Sequence, residues 1–507
     1  MRRSWTTTGR CLGVVYRTRR RYIPFNSITS PRPASTMGSK AVSLPSLEAE
    51  AKPKPKPLIN LLRGWPSPAV LPVSLLRQAA DEVFSDERVY VPALQYGPDP
   101  GYQPLREALA TWLGSVYRVA AAGRAADEIC VTGGASQNMA CVLASFTDPA
   151  WTRGVWAVMP CYYLACPIFG DAGFAGPERL RGVPEDEEGV DIGWLEGRLR
   201  ECDEREGEGD RPAYKTPGPH RKLYRHIIYV VPTCANPSGK TMTLARRQAL
   251  VRLARRHDAL IISDDVYDLL QWPTTPSPSP FSPLLPPLPR LSDIDLSLGR
   301  SEFDPPDKHF GHAISNGSFS KLVGPGVRTG WTHASPDFVT GLSQNGATRS
   351  GGAPSQLCAA MVTRLLASGQ LDEHLANVTR PALRDRHALM LRCIRRELGP
   401  LGVRVREEGE AGSNVAGGYF VWLTLPEGGP TAGEVAERAR EVENLVIAPG
   451  GLFVVGDAVI GEGEQFGMNM RLCFSWEGVE EVEEGVVRLG RVLGGLMGEG
   501  GQKKGGG

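Results

Sequence analysis

The sequence predicts an α/β protein built on a mainly parallel sheet, and three observations point there. Short apolar runs such as His226-Ile-Ile-Tyr-Val-Val231 and Ala259-Leu-Ile-Ile262 lack polar alternation, as strands covered on both faces do. Segments with helical spacing lie between such runs: Met139, Val142, Leu143 and Phe146 fall on one helix face. At 507 residues, 41% of them hydrophobic, the chain can bury a large core and has length for two or three domain-sized units.

Taken in order, residues 1 to about 55 read as a disordered extension ending in Lys52-Pro53-Lys54-Pro55-Lys56-Pro57, an extended linker. From Met1 to Leu47 there are eight arginines and one lysine but no acidic residue, a composition like that of a mitochondrial presequence. The competing reading starts the protein at Met37, so cytoplasm and mitochondrion both stay open. Glu128-Ile-Cys-Val-Thr132 reads as a strand running into Gly133-Gly134-Ala135, followed by the helix that carries Met139. After the strand at 226–231 a helix begins near Thr243, with Leu250, Leu253 and Ala254 on one face, and the strand at 259–262 follows. Two insertions interrupt the pattern, at about 201–222 and 273–310. The first is charged and Gly-rich. The second opens with eight prolines between 273 and 290, which no helix interior or central strand accommodates. The stretches 201–222 and 273–290 read as surface loops. The second leaves the chain soon after Asp264 and Tyr267, so a lid over a site is its alternative reading. The residues from 496 to 507 read as a flexible tail.

Composition narrows the function classes. A net charge of +1 gives no overall field for nucleic acid or a membrane surface. No run of about twenty apolar residues argues for a membrane span. The ten cysteines have no metal-ligand spacing, which leaves reduced thiols and no metal site as the expectation.

The chemistry lies in three strings. Ser318-Phe319-Ser320-Lys321 leads into Pro325-Gly326-Val327-Arg328; upstream are Asn236-Pro237-Ser238-Gly239 and Ser263-Asp264-Asp265-Val266-Tyr267. Together they supply an amine, a carboxylate, an amide, a phenol and a guanidinium, the groups needed to hold pyridoxal phosphate and use it as an electron sink. Asn236, Asp264 and Tyr267 each fall just past an apolar strand, where parallel sheets gather their ligands. Gly133-Gly134-Ala135-Ser136 joins a strand to a helix, a turn whose N–H groups face an anion. Taken singly each string has an ordinary meaning: a turn, a helix cap, a solvated lysine, a core tyrosine or a structural salt bridge.

In this combination the chain resembles the class I/II aminotransferases, the fold-type-I pyridoxal-phosphate enzymes, over about residues 58–490. The Ser-x-Ser-Lys-x-x-x-Pro-Gly-x-Arg block is the most specific match, and the spacings from Asn236 to Asp264 and from Asp264 to Tyr267 also match. The resemblance implies pyridoxal 5'-phosphate as cofactor and Lys321 as the Schiff-base lysine. Asp264 would face the ring nitrogen, and Asn236 and Tyr267 the phenolic oxygen. The phosphate would lie among Gly134, Ala135, Ser136, Ser318 and Arg328, although Ala135 stands where relatives often carry serine. Tyr162 of Pro160-Cys161-Tyr162 would stack on the ring. Tyr96 of Gln95-Tyr96-Gly97 would reach the phosphate of the other subunit, which implies a homodimer. Arg471 would bind the substrate α-carboxylate, and Gly64 of Leu62-Arg63-Gly64-Trp65-Pro66 would lie in the segment that closes on substrate; whether Arg63 or Trp65 reads the side chain stays open.

The implied domains are an N-terminal segment at 56–95, a large domain at 96–370 and a small α+β domain at 371–495. The implied activity moves an amino group from a 2-aminoadipate-, kynurenine- or aromatic-type amino acid to a 2-oxo acid such as 2-oxoglutarate, with the fungal 2-aminoadipate-type proteins nearest in look. A lyase or synthase on the same fold and a non-catalytic regulatory homologue are the alternatives.

Overall fold

The structure, a computed structural model, describes residues 56–118, 125–206, 213–274, 287–349, 354–406, 415–456 and 466–504. The N-terminal extension, most of the proline-rich run and its lid reading lie outside these. The described residues belong to one compact unit, Pro55–Gly507.

Eight strands form the central sheet: β1 (Ile129–Thr132), β2 (Gly154–Met159), β3 (Leu180–Asp186), β4 (Gly189–Val190), β5 (His226–Val230), β6 (Ala259–Asp264), β7 (Ala313–Ser318) and β8 (Gly330–His333). Their order is β1-β8-β7-β6-β5-β2-β3-β4. From β7 to β3 every pairing is parallel, while β8 runs antiparallel to both β7 and β1, and β4 antiparallel to β3. The expected mainly parallel α/β architecture is present.

The unbroken apolar runs have a physical cause. Ile227, Tyr229, Leu260 and Ile262 enter one core with Val142, Leu143 and Phe146 of helix α1 (Ala135–Phe146). Their neighbours Ile228, Val230, Ala259 and Ile261 enter another with Leu250, Leu253 and Ala254 of helix α2 (Leu244–Arg256). Successive side chains still alternate between faces, and both faces are covered. Helix α2 begins where the sequence places it: the Thr243 hydroxyl caps it by accepting the Arg246 N–H at 3.2 Å.

A second, antiparallel sheet comprises β9 (Arg404–Val405), β10 (Phe420–Thr424), β11 (Ala448–Pro449) and β12 (Asn469–Cys473), in the order β9-β10-β12-β11. The N-terminal segment is sewn to it. Ile59–Asn60 pairs in parallel with Leu445–Val446, and Leu61 accepts the Cys473 N–H at 2.7 Å. Residues 62–64 therefore run beside the strand that carries Arg471.

Three expectations change. The strand expected from Glu128 starts at Ile129, because 126–128 form a 3-10 turn. The insertion at 201–222 is not loop throughout: helix Ile192–Glu206 takes its first six residues, with Leu195, Leu199 and Cys202 packed in the core. The tail expected from 496 is helical through Lys504. There the apolar stripe Val482, Val486, Leu489 and Leu493 is fully buried, and Leu496 and Met497 still pack against the core, so the helix continues into the glycines. Among the described residues no helix is long and apolar enough to cross a membrane.

Phe146 ties α1 to the helix Pro336–Ser343, its ring stacked on Phe338 with centroids 4.0 Å apart. Phe146→Ala should cost about 3–5 kcal/mol of stability, measured as a lowered denaturation midpoint.

Candidate active site

β6 ends at Asp264 and β7 at Ser318, so the turns that follow them open at the same sheet edge. Lys321 lies three residues beyond β7. Its amine donates to the Gly64 carbonyl at 2.6 Å and stands 5.0 Å above the Tyr419 ring. Loss of hydration holds this amine at about 8, well below an ordinary lysine; Cys473 and Asp264 pull it back up and Arg471 pushes it further down. An amine that sheds its proton near 8 is a competent nucleophile toward a carbonyl and a competent base.

Asp264 is buried, and one carboxylate oxygen accepts the Tyr229 hydroxyl at 2.8 Å. The other, Oδ1, is buried without a partner. Burial pushes this carboxyl up to about 6, against the Tyr229 hydrogen bond and the charge of Lys321. Tyr267, also buried, packs edge-on against Tyr419 and Phe420, with ring centroids 5.6 and 6.1 Å away. Tyr162 is half-buried; desolvation pushes its hydroxyl to about 12, Asp264 adds to this and Arg471 opposes it.

Arg471 points from β12 into the same region. One guanidinium nitrogen donates to Asn236 Oδ1 at 2.8 Å, another to the Leu62 carbonyl, and Nε is buried without a partner. The guanidinium carbon lies 4.0 Å over Phe420 and 5.0 Å over Phe453. Among the described residues it has no carboxylate within ion-pair distance, so no structural salt bridge accounts for its burial. Gly64 has its position for a steric reason, since a Cβ there would lie 2.6 Å from Phe420.

A second corner gathers N–H donors around a glycine turn. Gly134 caps α1 with φ of 98°, so the first-turn N–H groups receive no side-chain cap. Arg328 lies against this turn, donating to the Gly133 carbonyl at 2.6 Å, and a Cβ on Gly134 would come within 2.5 Å of its guanidinium. Ser320 links Arg328 to Ser318: its hydroxyl accepts from Arg328 at 3.4 Å and from the Ser318 hydroxyl at 2.9 Å. Asn316 braces the turn from below, accepting from Asn138 at 2.8 Å and donating to the Ala135 carbonyl at 3.1 Å.

The structure thus brings Lys321 together with Gly64, Arg471 with Asn236, and Gly134 with Arg328 and, through Ser320, with Ser318. Ala135 and Ser136 occupy the first turn of α1, the latter with an exposed side chain. Tyr96 stays apart, with 86% of its surface exposed. The motif reading passed over Tyr229, Asn138, Asn316, Ser320 and Tyr419. Only Ser320 carried a signal, as the second serine of Ser-x-Ser-Lys.

The donor set fits pyridoxal phosphate. The orphaned Asp264 oxygen suits a cationic N–H, the glycine turn with Arg328 suits a phosphate, and the Lys321 amine suits an aldehyde. Comparison with known proteins points the same way. Residues 74–489 match the model of the family described as aminotransferase class I and II. An uncharacterized protein from Saccharomyces cerevisiae is 33% identical over 454 residues, covering 86% of this chain and 96% of that protein. Aromatic-amino-acid aminotransferase 1 from Thermococcus litoralis is 30% identical over 441 residues, 86% of this chain and 88% of its own length. Among solved structures, α-aminoadipate aminotransferase LysN from Thermus thermophilus, complexed with N-(5'-phosphopyridoxyl)-L-leucine, is similar with a TM-score of 0.65 and 28% identity, over 87% of this chain and 93% of that one.

Asp264 yields a signed pH test. Its folded carboxyl titrates near 6 against an ordinary 3.8. The folded state therefore holds an extra proton between these values, and this group's contribution to stability falls as pH rises through that window. Asp264→Asn removes the penalty. The cofactor-free variant should gain about 1–3 kcal/mol on wild type between pH 4 and pH 7, read from denaturation midpoints at both pH values. A difference that stays flat with pH would show that Asp264 titrates normally.

Proposed function

The chain belongs to the class I and II aminotransferases, and we propose that it moves the amino group of a 2-aminoadipate-, aromatic- or kynurenine-type L-amino acid to 2-oxoglutarate. The cofactor is pyridoxal phosphate, which when bound supplies an electron sink next to the α-carbon of the substrate. Asp264 Oδ1 would hold the ring N–H, Asn236 and Tyr267 would hold the phenolic oxygen, and Tyr162 would cover the ring. The N–H groups of Gly134, Ala135 and Ser136, with Ser318 and Arg328, would hold the phosphate.

Arg471 takes the α-carboxylate of the donor, its unpartnered Nε and flat aromatic bed favouring a bidentate pair. Lys321 Nζ then takes the proton from the α-carbon and later returns one, a role suited to an amine that titrates near 8. Tyr419, Phe420 and Phe453 keep water from this exchange. The observation that carries the reading is Lys321 itself: a desolvated amine in the field of both Asp264 and Arg471. The exposure of Tyr96 supports a homodimer in which that ring serves the partner's phosphate site.

The purified holoenzyme should lose its visible absorption band when mixed with its amino-acid donor and regain it with 2-oxoglutarate. Lys321→Ala should lower turnover by about 10²–10⁴-fold or more. Turnover kept near wild-type level in that variant would remove Lys321 from the mechanism, and failure of every 2-oxo acid to restore the band would exclude transamination.

A further inference from the structure

Residues 62–64 bridge the site. The Leu62 carbonyl accepts from Arg471, and the Gly64 carbonyl accepts from Lys321 at 2.6 Å. The residue between them is an arginine, anchored through its own N–H to Asn60 Oδ1 at 3.0 Å. Its half-buried side chain lies against a pair of indoles, with Cζ 4.6 Å from the Trp65 ring centre and 5.0 Å from that of Trp476. The two rings stand edge-to-face, 5.5 Å apart. Ser475 holds the arrangement by donating to the Trp65 carbonyl at 2.7 Å.

Indole rings attract a guanidinium but offer no in-plane acceptor for its five N–H groups. Among the described residues Arg63 makes no ion pair and no side-chain hydrogen bond. Glu477 feels its charge, yet the Glu477 carboxylate is engaged by the Asn60 N–H at 2.7 Å and forms no pair with it. A partly desolvated guanidinium of this kind gains most from a carboxylate, which it binds bidentately. The α-carboxylate position already has Arg471.

We propose that Arg63 is a specificity-determining residue that pairs with a carboxylate on the substrate side chain, which favours dicarboxylic amino acids and their 2-oxo acids over neutral ones. The proposal rests on the aminotransferase reading above and narrows its donor class.

Binding to the holoenzyme tests it without any turnover. Glutarate and pentanoate have the same chain length and differ by one carboxylate. Wild type should bind glutarate about 30-fold more tightly, read as a perturbation of the visible band or by calorimetry. Arg63→Met should erase the difference and Arg63→Lys should keep part of it. In turnover, Arg63→Met should cut the ratio of kcat/KM for 2-aminoadipate over norleucine by a similar factor, through KM. The proposal falls if wild type shows no glutarate preference, if Arg63→Met retains it, or if both substrates lose equally, which would leave Arg63 as a clamp for the bridge. A glutarate preference that depends on Arg63, in a protein that transaminates nothing, would sustain the anion site and sink only the aminotransfer reading.

Discussion

Gly330 stands opposite Thr132 on one side and Ser318 on the other, because β8 runs antiparallel between β1 and β7. This double pairing sets the glycine turn after β1 beside the lysine turn after β7, although the two are far apart in the chain. One step along the sheet, Asp264 pairs with Asn316, and the Asn316 amide reaches both Asn138 and the Ala135 carbonyl. Register is therefore passed from strand to strand and on into helix α1. A slip of one residue would turn each of these side chains to the opposite face and dissolve the site, while the hydrophobic layers on both faces hold the register in place.

The site is assembled at a cost in stability. Asp264 carries a buried oxygen without a partner, Arg471 a buried Nε without one, and Lys321 is held away from its ordinary titration. A core built for stability alone would pair or remove these groups. Asp264 closes a fully buried strand, Lys321 follows another in the next turn, and Arg471 lies in the buried part of β12, so packed strands on all sides offset the local penalty.

Strand and helix periods were legible because they follow from which faces are covered, and the Lys321, Asn236 and Asp264 motifs because they are contiguous strings. Contacts between distant segments were not. Tyr229 lies inside an apolar run and reads as strand filler, yet it supports Asp264. Tyr419 lies in the run from Gly417 to Trp422 and belongs to none of the motifs, yet its ring lies under the Lys321 amine. The junction of Arg471 with Asn236 depends on how the second sheet meets the first, which no spacing encodes. The glycine-rich C-terminus misled for a related reason: composition suggested a tail, while packing of one apolar stripe decided for a helix.

The bridge at 62–64 has a consequence for binding. Its carbonyls occupy one N–H of Arg471 and one of the Lys321 amine. A carboxylate arriving at Arg471 therefore meets one N–H, at Nε, that has no acceptor and another that it must take from the Leu62 carbonyl. The apparent affinity for substrate is weakened by whatever those internal hydrogen bonds contribute, but the same bonds re-form as product departs. The main chain thus offers the guanidinium an alternative acceptor that a departing acid gives back.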